Sequence, residues 1–91
     1  MGAVRVVVHG RVQGVLFRAW TRDQAGLRGL SGWVRNRRDG TVEALFAGDD
    51  AKVEEMVALC GDGPPHAQVT QVERFAAEAP SEAEFRQLPS A

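Results

Sequence analysis

The chain has 91 residues, of which 44% are hydrophobic and 25% are charged, and its formal net charge is −1 at pH 7. This length accommodates one domain, residues 1–91, and the near-neutral charge excludes a strong general attraction to nucleic acid or other polyanions. No apolar run approaches the ~20 residues of a membrane span, and no secretory signal is visible before the first strand-like stretch, so we expect a soluble cytoplasmic protein without a membrane partner.

The first half of the chain predicts a strand, a helix and the start of a hairpin. Alternating β-branched residues predict a strand over Val4–Gly10, and Phe17–Arg28 is compatible with a helix. The stretch "SGWVRN", Ser31–Asn36, is typical of a strand, and the Asp39-Gly40 pair that follows is a strong hairpin signal. Because both central positions of a type I′ turn need positive φ, these two residues predict a type I′ turn.

The second half continues the hairpin with the strand "TVEALFAG", which ends at Gly48. Asp49 or Asp50 can cap a second helix that ends at Gly61. Its apolar residues recur at i, i+3, i+4 and i+7, at Val53, Met56, Val57 and Cys60. After the loop "GDGPPHA", the stretch "VTQVERFAA" predicts a last main strand, with a short extension near Phe85. The order β-α-β-β-α-β indicates an α+β, ferredoxin-like sandwich: an antiparallel sheet with two helices on one face.

Cysteine and histidine usage gives no indication of a metal or another cofactor, and we predict none. The single cysteine, Cys60, excludes an internal disulfide and a cysteine-built metal site, and we expect it to be a small buried hydrophobe. His9 and His66 are far apart in sequence and have no carboxylates at a spacing typical of a metal cage. We expect His9, at a strand end, to bond to backbone or water, and His66 to be exposed.

The connection between the first strand and the first helix, "HGRVQGVLFR", is the strongest candidate for a functional site. Backbone N–H groups of a glycine-containing loop that opens a helix can cradle an anion. Arg18 adds a planar cation that can grip two phosphate oxygens, and Gly10 and Gly14 permit positive φ and close approach. Alternatively, the two glycines only turn the chain and Arg18 is solvated. The pattern is neither a P-loop nor G-x-G-x-x-G, so it does not indicate nucleotide binding.

Two segments resemble the signatures of the acylphosphatase family: "GRVQGVLFR", and "SGWVRNRRDGTVE", whose asparagine lies eighteen residues after Arg18. The loop "GPPHAQV" is similar to a third family segment, whereas the tail "FRQLPSA" is harder to place. The resemblance implies a small monomeric hydrolase that cleaves acyl phosphates to a carboxylate and inorganic phosphate. It also implies that Arg18 binds phosphate and that Asn36 orients the attacking water. The implied cradle is the backbone of Arg11, Val12, Gln13, Gly14, Val15, Leu16 and Phe17.

The chemistry of this reaction is compatible with so few groups. The leaving carboxylate is a weak base, so catalysis requires the phosphoryl oxygens to be held and a water to be placed in line behind phosphorus. We expect a phosphoryl oxygen of the substrate to accept the proton of the water. Strand alternation places Asn36 on the face of Val34, which we expect to be the helix-covered face. The alternative is that Asn36 makes a local turn hydrogen bond.

A nucleic-acid-binding module is the main rival hypothesis. On this view the open face of the sheet stacks bases on Trp33 between the arginines Arg35, Arg37 and Arg38. It does not explain the glycine loop, and the same arginines are also compatible with a solvated edge strand.

A third alternative is an acylphosphatase-like domain with regulatory or carbamoyl-phosphate-handling duties, similar to the N-terminal domain of hydrogenase maturation carbamoyltransferases. The chain length disfavours this alternative. We therefore expect only small-molecule partners, an acyl phosphate and inorganic phosphate, and no nucleic acid.

Overall fold

Five strands and two helices make up the computed structural model, which describes residues 2–91. The strands are β1 (Gly2–Arg11), β2 (Ser31–Asn36), β3 (Val42–Gly48), β4 (Gln68–Ala76) and β5 (Phe85–Gln87). The helices are α1 (Phe17–Leu27) and α2 (Asp50–Cys60). This order confirms the ferredoxin-like α+β fold. Both helices are too short and too polar to span a bilayer.

The strands form one sheet in the order β4-β1-β3-β2-β5. Every pairing among the four main strands, β1 to β4, is antiparallel. The short strand β5 instead lies parallel to β2, with Phe85 opposite Gly32. The connection between β4 and β5 crosses from one edge of the sheet to the other. At that second edge, β5 runs in the same direction as β2. Because β5 covers β2, the interpretation of β2 as a solvated edge strand is wrong.

The two helices cover one face of the sheet, and the hydrophobic core lies between the helices and the sheet. Its largest fully buried side chains include Phe46, Met56 and Val34. Asp49 caps α2 by accepting a hydrogen bond from the Lys52 amide at 3.2 Å, in agreement with one of the two predicted caps. Cys60 is fully buried, as expected, and burial raises the pKa of its thiol to about 12. The thiol is therefore protonated and unreactive at neutral pH.

The opposite face of the sheet carries a compact ion network around a buried carboxylate. Glu43 accepts hydrogen bonds from Arg5 Nη1 at 2.9 Å and from Arg35 Nε at 2.7 Å. The guanidinium of Arg5 lies 4.3 Å from the ring centroid of Phe75, and that of Arg35 lies 4.9 Å from Trp33. Two of the residues that the rival hypothesis assigned to base binding, Trp33 and Arg35, are thus engaged with each other beside a buried negative charge.

The connection between β2 and β3 is longer than the predicted type I′ turn. Leu16 is the only non-glycine residue among residues 2–91 with positive φ, so Asp39 does not adopt it, whereas Gly40 does, at 92°. The Gly40 amide donates to the Arg37 carbonyl, and the Arg37 amide donates to the Thr41 carbonyl. The hydroxyl and amide of Thr41 donate to the Asp39 carboxylate, which lowers its pKa. These bonds hold a wider loop, and the type I′ prediction is wrong.

The side chain of Gln13 joins this hairpin loop to the β1–α1 connection. Its amide nitrogen donates to the carbonyl of Arg37 at 2.7 Å and to the carbonyl of Thr41 at 2.9 Å. Both hydrogens of one amide group are therefore used. The loop before α1 and the loop after β2 are held at a fixed separation by a single residue.

Replacing Gln13 by glutamate tests this bridge, because Gln13→Glu keeps the shape but removes both donors. At pH 7 a carboxylate would face two carbonyl oxygens, and we expect the free energy of unfolding to fall by about 2 kcal/mol or more. The same repulsion raises the carboxyl pKa in the folded state, so part of the loss should be recovered as the pH falls through that value. Urea unfolding at pH 7 and pH 4 measures both effects relative to the original chain. Gln71→Glu, at an exposed position on β4, is the matched control; equal losses for both variants would contradict the bridge.

Candidate active site

The two glycines of the β1–α1 connection have separate structural roles. The pairing of β1 with β4 shifts register between His9 and Gly10. A Cβ at Gly10, where φ is 120°, would lie 2.1 Å from the Gln68 carbonyl oxygen, so the close approach to β4 requires glycine. Gly14 has φ of 74° and nothing within 4 Å of an added Cβ, so glycine serves the backbone turn there. The loop can therefore curl back toward the start of α1.

The helix α1 begins with its backbone donors open to an anion. Its N-cap, Leu16, has φ of 63° and ψ of 26° and makes no side-chain capping bond. The first turn of α1 contains no acidic residue. The Trp20 amide makes the first helical bond, to the Leu16 carbonyl at 3.0 Å, and the amides at 17–19 have no acceptor within the helix. The positive end of the helix dipole thus faces the loop.

A pocket of about 200 Å³ lies at this helix end. The loop and α1 contribute Val12, Gly14, Leu16, Phe17, Arg18 and Ala19, and the sheet contributes Asn36 and Gln87. Arg18 and Asn36, the two residues singled out in the sequence, therefore line the same pocket although they come from different elements. Three of the expected cradle residues do not line it: Arg11, Gln13 and Val15.

Arg18 is held by the segment that follows β5. Its Nη1 donates to the carbonyl of Leu88 at 3.4 Å, and the Leu88 amide donates to the Val34 carbonyl at 2.8 Å. The tail that was hard to place from the sequence continues along β2 as far as Ala91, whose amide donates to the Asn36 carbonyl at 3.0 Å. One side of the guanidinium is thereby anchored, and the group remains beside the pocket.

Asn36 ends β2 on the face predicted by strand alternation. Val34, two residues earlier, is fully buried under the helices, and Asn36 lines the pocket at the N-terminus of α1. The hydrogen bonds of the turn that follows are made by the backbone of Arg37 and Gly40 and by Asp39 with Thr41. Asn36 therefore lines this pocket, and its side chain makes none of the hydrogen bonds of that turn.

Sequence reasoning missed the contributions of Gln87 and Leu88. Gln87 belongs to a strand of three residues, too short for alternation to identify its face. Leu88 acts through its backbone carbonyl, which any residue carries. The only available signal was the short extended stretch near Phe85, and its parallel pairing with β2 depends on tertiary structure.

The two histidines lie outside this pocket. His9 Nε2 lies 2.5 Å from Glu73 Oε1, so its partner is a carboxylate and not the expected backbone or water. His66 is exposed, as expected. Within residues 2–91, no three His, Cys, Asp or Glu side chains lie close enough together to hold a metal ion.

Comparison with known proteins places this chain in a known family. A family model of acylphosphatases matches residues 4–87. The acylphosphatase of Rhodospirillum rubrum is 49% identical over 90 residues, covering 99% of each chain, and that of Azorhizobium caulinodans is 54% identical over 77 residues, covering 85% of this chain and 83% of the relative. The crystal structure of acylphosphatase from Bacillus subtilis superimposes with a TM-score of 0.90 at 35% identity, covering 97% of this chain and 99% of that chain. With a family match that spans both signature segments, this chain belongs to the acylphosphatase family.

Proposed function

We propose that this chain, an acyl phosphate hydrolase by its family, cleaves its substrate by direct in-line attack of water on phosphorus. Arg18 and the backbone of the β1–α1 loop hold the phosphoryl group, and Asn36 places the water. The observation that carries this proposal is that Arg18, Asn36 and the first turn of α1 line one small pocket.

The phosphoryl group is bound by donors that are fixed before the substrate arrives. The first-turn amides of α1 have no helical acceptor, and the left-handed backbone at Gly14 and Leu16 curls the loop toward them. Arg18 supplies a permanent positive charge in a planar fork, and the Leu88 carbonyl restrains that fork. Preorganised donors of this kind stabilise the charge on the phosphoryl oxygens as the transition state develops.

The reaction needs one bond to form and one to break at phosphorus. The water oxygen forms the new bond, and the bond from phosphorus to the acyl oxygen breaks, with the electron pair leaving on the carboxylate. A phosphoryl oxygen takes the proton of the water, so a dianionic acyl phosphate and water give a carboxylate and dihydrogen phosphate. The carboxylate is a weak base and leaves without a general acid.

We also propose a domain organisation, oligomeric state, location and set of partners for this protein. Residues 1–91 act as a single domain and as a monomer in the cytoplasm, with an acyl phosphate and inorganic phosphate as the only partners. The proposal that nucleic acid is not a partner is supported by Glu43, which is buried between Arg5 and Arg35. It places a carboxylate at the centre of the open sheet face, where it would repel phosphates.

Hydrolysis should not require a metal ion, because the loop amides and Arg18 already neutralise the phosphoryl charge. We expect purified protein to hydrolyse benzoyl phosphate in EDTA at the same rate as with added Mg²⁺. Release of inorganic phosphate measures this directly. Activity that disappears in EDTA and returns with a divalent ion would overturn the mechanism.

Arg18→Ala should weaken both phosphate binding and turnover, since the arginine contacts the phosphoryl group in the ground state and in the transition state. Loss of one charged donor from a preorganised site costs about 3 kcal/mol or more, so kcat/KM should fall about a hundredfold or further. Arg18→Lys should recover little of this loss, because it restores the charge without the fork. Inorganic phosphate should raise the Tm of the original chain and have much less effect on Arg18→Ala.

A control for Arg18 is Arg22→Ala, one turn further along α1 at an exposed position. It removes the same charge outside the pocket and should leave kcat/KM nearly unchanged.

The Arg18→Lys variant tests the geometry of phosphate binding. A kcat/KM close to that of the original chain would show that bidentate binding by Arg18 is the wrong description.

Asn36 variants should separate binding from chemistry. If the amide only orients the water, Asn36→Ala should keep phosphate affinity while kcat falls sharply. Asn36→Asp should impair binding as well, because it deletes the amide donors and adds a negative charge beside the phosphate. Calorimetry with inorganic phosphate and turnover of benzoyl phosphate measure the two quantities. Wild-type turnover in Asn36→Ala, or a loss of phosphate binding as severe as in Arg18→Ala, would remove Asn36 from this role.

A further inference from the structure

We propose that Gln87 is a second residue that holds the attacking water, with its side-chain oxygen accepting a hydrogen bond from the water that Asn36 places. Gln87 lines the phosphate pocket together with Arg18 and Asn36, and the other described residues of the wall are apolar. This inference rests on the proposed function, since it assumes in-line attack by a water at Asn36. It assigns a task to the one polar side chain of the wall that the proposed function does not use.

The short strand β5 places Gln87 on the same face of the sheet as Asn36. Phe85, two residues before Gln87, stacks on the buried Phe46 with ring centroids 5.6 Å apart, so this face of β5 is turned toward the helices. Gln87 lies opposite Val34 in the parallel register, and Asn36 is two residues further along β2. With strands about 4.8 Å apart and a rise of about 3.3 Å per residue, the Cα atoms of Gln87 and Asn36 are roughly 8 Å apart. Two carboxamide side chains that extend from such positions can reach one water molecule.

The attacking water needs a hydrogen-bond acceptor, and the pocket offers few. One lone pair of the water attacks phosphorus and one hydrogen passes to a phosphoryl oxygen, so one lone pair and one hydrogen remain to be held. The first-turn amides of α1 and the guanidinium of Arg18 are donors only. Among the described residues that line the pocket, only Asn36 and Gln87 carry a side-chain oxygen. We therefore assign the Asn36 amide nitrogen as the donor to the lone pair and the Gln87 oxygen as the acceptor of the hydrogen.

The Gln87 side chain is available for this role. It makes no hydrogen bond to any other residue in the described chain, whereas the adjacent Leu88 already uses its carbonyl to hold Arg18. Gln87 is exposed, so its carboxamide is in contact with solvent at the pocket. The carboxamide is also neutral, so it can accept a hydrogen bond from water without placing a negative charge beside the phosphoryl group. A carboxylate at this position would repel a dianionic substrate.

The variant Gln87→Met tests this role, because it keeps the length of the side chain and removes both polar groups. Loss of one neutral hydrogen bond should lower kcat for benzoyl phosphate about threefold to tenfold. KM and the Kd of inorganic phosphate should stay unchanged, because the lost contact belongs to the water. Gln87→Glu keeps an acceptor oxygen and adds a charge, so its kcat should exceed that of Gln87→Met while its Kd for phosphate rises. The matched control is Gln71→Met, at an exposed position on β4 outside the pocket, which should change neither kcat nor KM.

A double-mutant cycle tests whether the two carboxamides hold the same water. Asn36→Ala already leaves the water unplaced, so adding Gln87→Met to it should lower kcat by less than about twofold further. An equal loss of kcat in both backgrounds would overturn the shared water. An unchanged kcat in Gln87→Met alone, or a weaker phosphate affinity as its sole effect, would also overturn the inference. Original turnover in Asn36→Ala would instead overturn the water assignment of the proposed function, so the two failures are distinct.

Discussion

The two hydrogen bonds from the Gln13 amide fix the geometry on which the site depends. They connect the loop before α1 to the carbonyls of Arg37 and Thr41, at the two ends of the loop that follows Asn36. The loop contributes the amides proposed to bind phosphate and leads to Arg18, while β2 contributes Asn36. Neither element determines the distance between these groups by itself. The Gln13 side chain therefore joins the loop that leads to the proposed phosphate-binding group to the loop that follows the proposed water-binding group.

The sheet and the tail complete this arrangement from the other side. Because β5 is parallel to β2, the residues after it continue along β2 and bring the Leu88 carbonyl to Arg18. The Ala91 amide also bonds to the Asn36 carbonyl. The pocket is thus bounded by a curled loop, a helix N-terminus and a strand whose backbone is paired on both sides. Such support keeps donors in place without reorganisation during the reaction, which is the condition for effective electrostatic stabilisation.

Local rules predicted the parts of the molecule that local forces determine. The bounds of β2, an aspartate cap at residue 49 or 50 and the shared face of Val34 and Asn36 each follow from neighbouring residues. Gly10 and Gly14 indicated an unusual backbone, and both have positive φ. These features made the loop a candidate site, with a simple turn as the alternative, and the family resemblance indicated its chemistry.

Long-range contacts account for what the sequence did not predict. His9 and Glu73 are 64 residues apart, and Arg18 and Leu88 are 70 residues apart, so no local pattern connects them. The positive φ at Leu16 contradicts its intrinsic preference and is imposed by the loop as a whole. The type I′ turn failed because the bonds from Thr41 to Asp39 stabilise a wider loop.

The most direct test of the central claim is a titration of the isotopically labelled protein with inorganic phosphate, followed by NMR of backbone amides and side-chain N–H groups. We expect the amides of residues 14–19 and the side-chain signals of Arg18 and Asn36 to shift together with one Kd. We expect the face that carries Trp33 and Arg35 to remain unchanged. Shifts confined to that face, with the loop amides unmoved, would contradict the assignment of the β1–α1 connection as the phosphate site.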